Sequence, residues 1–253
     1  MTSAGPPPNA AEIKEHVDHA LHGLELDPHE TSEILSFANE EVPHLQTPET
    51  SYFVLGSFRS PYERRLRTVE NELNKRVGTY AFVLGDLRDI EIPRLPTFRI
   101  RFYIIAPYAD TITAVHEQDA GGEVTELGKI SETPFFEDSF VMPRDYAWMT
   151  DRNLETKEDV FAAAVRIALN PDIEEEAIEQ ELETLVESAQ SNGVEISIEA
   201  LRDRIEEREE EGPDLTSYSW VHLNEFRLFE LHGRCIPWTD TDDLRTAVDK
   251  IPL

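Results

Sequence analysis

Four short apolar runs mark the middle of the chain: SYFVLGSF (51–58), TYAFVLGD (79–86), DTITAVHE (110–117) and DSFVMPRD (138–145). They are bounded by Gly, Asp or Pro and are continuous rather than alternating, as strands buried on both faces are. Helical patterns lie between them. Strands alternating with helices predict a parallel sheet joined by crossovers. The segment FRIRFYIIAPYA (98–109) alternates like a strand in its first half, but its place between two strands predicts a helix. The fold expected is α/β, a flavodoxin- or Rossmann-like parallel sheet flanked by helices, with acidic helical additions.

The remaining chain divides around that core. Residues 1–50 read as an extension, Pro-rich and disordered over 1–10 and helical over 11–42, where Ile13, Val17, Leu21, Leu24, Ile34, Leu35 and Phe37 are partly periodic. Residues 51–150 form the expected α/β core. Residues 151–213 are helical: EDVFAAAVRIAL ends before Asn170-Pro171, and a helical hairpin follows, broken at SNG (191–193). Residues 214–253 return to the core through a helix in WVHLNEFRLFEL, a strand in RCIPWT and a last helix after Asp240.

Charge narrows the partners. The chain has 23 Lys plus Arg against 52 Asp plus Glu, a net charge of −29. Direct binding to nucleic acid or to an anionic membrane is not expected, because both are polyanions. Only 5 of the basic residues are Lys. Acid excess with scarce Lys is the composition expected of a halophilic, haloarchaeal-type protein, whose self-repulsion salt screens; the other reading is an acidic mesophilic protein. From 171 to 211 there are 16 acids and 3 Arg, a solvated face or a docking surface for a protein partner or second copy. The single cysteine, Cys235, reads as a small core residue. No apolar run approaches a bilayer span, and the N-terminus lacks the pattern of a signal peptide, so a cytoplasmic location is expected. No motif calls for a cofactor, and the scattered His residues do not call for a metal.

The segment FVLGSFRSPYERRL (53–66) is the first candidate ligand site. Ser60 and Glu63 have capping-box spacing and Pro61 suits the first helical position, so a helix is expected from about residue 61. Gly56, Ser57, Phe58 and Arg59 then form the strand-to-helix loop. Gly56 permits close approach, Arg59 reaches a phosphate or carboxylate, and helix-start N–H groups favour an anion. Between 51 and 110 there are 10 basic and 7 acidic residues, a local excess of positive charge. Those Arg either face a ligand or pair with the acidic additions.

HEQDAGGEVTELGKI (116–130) is the second. A strand ends near Glu117, Gly121 and Gly122 turn the chain, and a helix carries Glu123 and Glu126. A carboxylate there either favours the helix dipole or stabilises a positive sugar centre. The stretch GGEVTELG resembles the Gly-rich turn and Glu-Leu-Gly of nucleoside 2-deoxyribosyltransferases. The order strand, GSF, helix, strand, then ADTITAVHE…GG…ELG is similar to that superfamily and its TIR-like relatives over about 51–145. The resemblance implies a nucleotide or nucleoside ligand and N-glycosidic cleavage, with Glu126 at the anomeric carbon. Where the transferases carry an upstream Asp this chain has Ala120, with Asp119 one residue earlier, and it adds long acidic segments. Asp86 and Glu117 are the candidates for ribose hydroxyls. Arg144 and Tyr146 are placed at the same sheet edge, and Phe58 and Tyr62 are stacking candidates. The other reading is a non-enzymatic interaction module with the sheet as scaffold and the acidic hairpin as docking surface.

Overall fold

A computed structural model describes residues 8–58, 62–117, 122–144, 154–168, 174–211 and 224–253. The strands are β1 (Thr50–Leu55), β2 (Thr79–Val83), β3 (Thr111–His116) and β4 (Ser139–Pro143). They form one four-stranded parallel sheet in the order β2-β1-β3-β4, flanked by helices. β1 pairs with β2 in the register Phe53–Phe82 and with β3 in the register Phe53–Ile112. The protein is an α/β protein with the strand order of flavodoxin-like sheets.

The chain divides into two compact units, Met1–Val115 with Thr125–Phe140 and Ile251–Leu253, and His116–Val124 with Val141–Lys250. In the first, β1 is the central element and Tyr52 through Leu55 are all buried. Its start is set by Asp110, whose carboxylate accepts from the N–H (2.8 Å) and the hydroxyl (2.9 Å) of Ser51. Phe53 and Phe82 stack with centroids 5.1 Å apart. The chain's last residues join this unit: Tyr52 donates to the Pro252 carbonyl and Arg76 to that of Ile251.

Two helices precede the sheet, α1 (Ala10–Ala20) and α2 (Pro28–Leu45). Asn9 caps the first. Asp27 and Glu30 form a reciprocal capping box on the second, with Pro28 at its first turn. The helix α3 (Tyr62–Asn74) follows β1, and Asn74 bonds both the N–H and the carbonyl of Ala81 on β2. The alternating segment forms the helix α4 (Thr97–Ile105), as its place between two strands predicts. It is buried from Ile100 to Ile105, including Arg101, so no solvent face marks its period. Arg101 turns inward and donates to the carbonyls of Leu84 and Leu87, fixing the turn after β2.

The helix α5 (Gly122–Ile130) belongs to the first unit from Thr125 on, and the second unit contains α6 (Lys157–Ala168), α7 (Glu175–Ser191) and α8 (Ile198–Glu211). Leu154, Val160, Ala164, Leu182, Leu185, Ala189, Val194 and Leu201 form their shared core. The hairpin turns at Asn192-Gly193, where Gly193 has φ 82°. The helices α9 (Asn224–Leu231) and α10 (Thr241–Val248) follow. RCIPWT is not a strand: it makes only isolated bridges, Cys235 with Val141 and Trp238 with Arg144. Pro237, between them, has no N–H to extend a ladder.

Candidate functional site

In the first unit the carboxyl ends of β1 and β2 bring together the loop after β1 and the turn after β2. Gly56 has φ 153°, and a Cβ there would lie 3.0 Å from both Leu66 Cδ1 and the Val115 carbonyl. The loop therefore rests directly on β3. Phe58 follows and is 39% exposed. Its ring packs against Gly85, where an added Cβ would come within 2.6 Å of it. The Arg67 guanidinium sits 5.5 Å from the ring centroid. Arg67 also grips Asp86 with both terminal nitrogens and donates to Glu70 at 2.9 Å. The Arg67 hydrogen bonds hold the Asp86 carboxyl below its usual range. The structure thus joins Phe58 and Asp86 through Arg67, with Gly85 clearing room for the ring.

The local positive charge is largely drawn into pairs. Arg67 is paired with Asp86 and Glu70, Arg94 with Glu30, and Arg88 with Glu33 and Glu40 of α2. Arg65 is buried, 5.9 Å over the Tyr62 ring. Arg59, Ser60, Pro61, Gly121 and Tyr146, as well as Asn170-Pro171, lie outside the described residues.

Glu126 belongs to the same unit. It is buried on α5, and one turn later Lys129 is buried as well. The Lys129 ammonium lies over the rings of Phe98 (4.7 Å) and Phe102 (5.1 Å) of α4. Burial pushes its proton affinity down, and Glu126 opposes that shift.

The second unit holds Glu117 and Gly122. Gly122 opens α5. Glu117 is buried, with a carboxylate oxygen 3.7 Å from Arg144. Arg144 and Asp159, both 0% exposed, form a direct ion pair. Arg144 Nε donates to the Thr239 carbonyl at 2.8 Å, and the guanidinium lies 5.2 Å from the Trp238 ring centroid. Asp159 also accepts from the N–H groups of Glu155 and Thr156, both at 2.9 Å. Thr156 returns the bond to Asp159 N, which closes a capping box at the start of α6. His116 packs edge-on against Phe226, 5.1 Å between centroids. Its burial pushes the imidazole pKa down to about 3, so it is neutral.

Reasoning from the sequence counted Arg67 only as part of the basic cluster after β1, without its partner Asp86, and passed over Arg101, Lys129 and Asp159. Two had a readable signal: Thr156–Asp159 has capping-box spacing, and Lys129 is one of only 5 lysines, set in an apolar stretch. The inward turn of Arg101 had none. Among the described residues no group of three or more His, Cys, Asp or Glu could hold a metal ion, and no helix is long and apolar enough to cross a membrane.

These features define an α/β protein with an aromatic and carboxylate-bearing carboxyl edge on a parallel sheet. Over residues 1–253 the chain matches the family of unknown function DUF8170, and it belongs to that family. No curated protein and no solved structure matches it.

Proposed function

We propose that this protein binds a nucleotide or nucleoside at the carboxyl edge of its sheet and cleaves an N-glycosidic bond with Glu126. The observation that carries the reading is the strand order. The chain leaves β1 for β2 on one side and returns past β1 to β3, so the order reverses between β1 and β3. Open α/β sheets bind ligands at the carboxyl edge of such a reversal. Phe58, partly exposed and braced by Gly85 and Arg67, offers a flat face to a base or sugar. Asp86 supplies acceptors for ribose hydroxyls, and Glu126 the carboxylate that stabilises the oxocarbenium-like centre as the base departs. The rival docking role for the acidic hairpin draws less support, because the apolar sides of α7 and α8 are already buried with α6.

The test is incubation in molar KCl with NAD, nucleosides and nucleoside monophosphates, followed by measurement of released base. Glu126→Gln keeps size and helix propensity but removes the charge. It should cut base release by about a hundredfold or more, about 3 kcal/mol of transition-state stabilisation, with little change in Tm. Equal rates for the variant and the wild type would remove Glu126 from catalysis. A nucleotide that raises Tm without being cleaved would leave a binding protein.

A further inference from the structure

Glu126 and Lys129 are one helical turn apart on α5, a spacing that brings side chains together on one helix face. Both side chains are buried. A buried carboxylate tends to take up a proton, and a buried ammonium tends to lose one. A protonated Glu126 would be useless as a nucleophile or as a stabiliser of positive charge. Lys129 is placed to prevent this. Its ammonium rests on the faces of Phe98 and Phe102, where ring quadrupoles attract a cation. Phe98 itself is partly exposed.

We propose that Lys129 is the positioning residue of this site: seated on Phe98 and Phe102, it holds the Glu126 side chain as an oriented carboxylate. The inference rests on the reading of Glu126 as the group that acts on the sugar. The charged groups that act on Lys129 are Glu126 on its own helix, which favours the ammonium, and Arg99 on α4, which opposes it. Burial is the larger opposing influence. The arrangement therefore depends on mutual support: each charge keeps the other ionised. Lys129→Arg preserves that support and Lys129→Met abolishes it.

Two measurements test this on the full-length protein. Reductive ¹³C-methylation labels the 5 lysines, and the Lys129 signal is assigned by its loss in Lys129→Met. In Glu126→Gln the Lys129 titration should move down by about one pH unit or more, the size of shift produced by a close opposite charge. An unchanged titration overturns the inference, whatever the activity. The second measurement is the pH profile of base release from NAD, adenosine and 2′-deoxyadenosine. Lys129→Met should raise the acid-side midpoint by about 1–3 units, and Lys129→Arg should restore it. A loss of rate at every pH with the midpoint unmoved marks a purely structural lysine and also overturns the inference. A Lys129 titration that shifts while wild type releases no base upholds the pair and overturns its catalytic use, together with the reading it rests on.

Discussion

Replacing Asp159 with alanine takes one carboxylate from a buried group of three charged side chains. Arg144 and Asp159 are fully buried, and Glu117 lies 3.7 Å from Arg144. Asp159 supplies the direct ion pair and accepts two backbone N–H bonds at the start of α6. Its removal leaves Arg144 with Glu117 at longer range, the Thr239 carbonyl and the Trp238 ring. Breaking a buried pair from one side costs about 3–5 kcal/mol. Asp159→Asn keeps an oxygen for the N–H groups while losing the charge, and should recover about 1 kcal/mol of that. Urea unfolding in molar KCl is the assay, since urea leaves ionic strength unchanged. At an m-value of about 2–3 kcal/mol/M, the alanine variant should unfold about 1–2.5 M earlier. Because the pair is shielded from solvent, the loss should be similar in dilute and in molar salt. A loss under about 1 kcal/mol, or one that vanishes at high salt, would refute the argument that a desolvated pair organises the second unit.

Other expectations concern single positions. Gly56→Ala should cost about 1–3 kcal/mol by backbone strain alone, because φ is 153° and the new Cβ meets Leu66 and the Val115 carbonyl. Gly128→Ala, mid-helix with nothing within 4 Å, should stabilise by about 0.5–1 kcal/mol; urea midpoints that rank the two the other way would contradict this. His116 has its folded-state pKa pushed from 6.5 down to about 3. Above pH 6.5 it is neutral folded or unfolded. As pH falls from 6.5 toward 3 only the unfolded state gains the proton, so stability should drop by about 1.4 kcal/mol per pH unit. His116→Phe should flatten that loss between pH 6.5 and 5, and an unchanged acid slope would rule out His116 as its source. Cys235 is pushed up to about 12 by burial, with Glu230 adding to the shift. At pH 8 it should react slowly with a disulfide reagent while folded and rapidly in urea, so fast labelling of the native protein would refute the burial argument.

The four apolar runs, their boundaries and the helical stretches between them were legible because strand burial and helix periodicity are local properties. Phe53, Val54, Ala114 and Val141 are apolar for the same reason wherever the neighbouring strands fall. Asp27, Glu30 and Pro28 announce the start of α2 within a few residues of chain. Strand order is not local: β1 sits between β2 and β3 only because the crossovers diverge, and no residue of β1 names its neighbours. The fate of charged residues was also hidden. Arg59, Arg64, Arg65 and Arg67 look alike in a row, yet Arg65 is buried over Tyr62 while Arg67 is committed to Asp86, 19 residues on. Arg101, spaced like a surface residue, serves two carbonyls of the turn after β2. The pairing of Arg144 with Asp159 joins residues that one-dimensional spacing does not relate. By itself the sequence determined the four strands of the sheet and the helices between them and that the protein carries a large negative charge, since these follow from side-chain chemistry and short-range periodicity; it misjudged RCIPWT, whose apolar residues make only isolated bridges. Only the tertiary structure decided which charges are paired, which carboxylates are buried and which loops meet at the sheet edge, because desolvation and Coulomb attraction act between groups that the chain brings together only when folded.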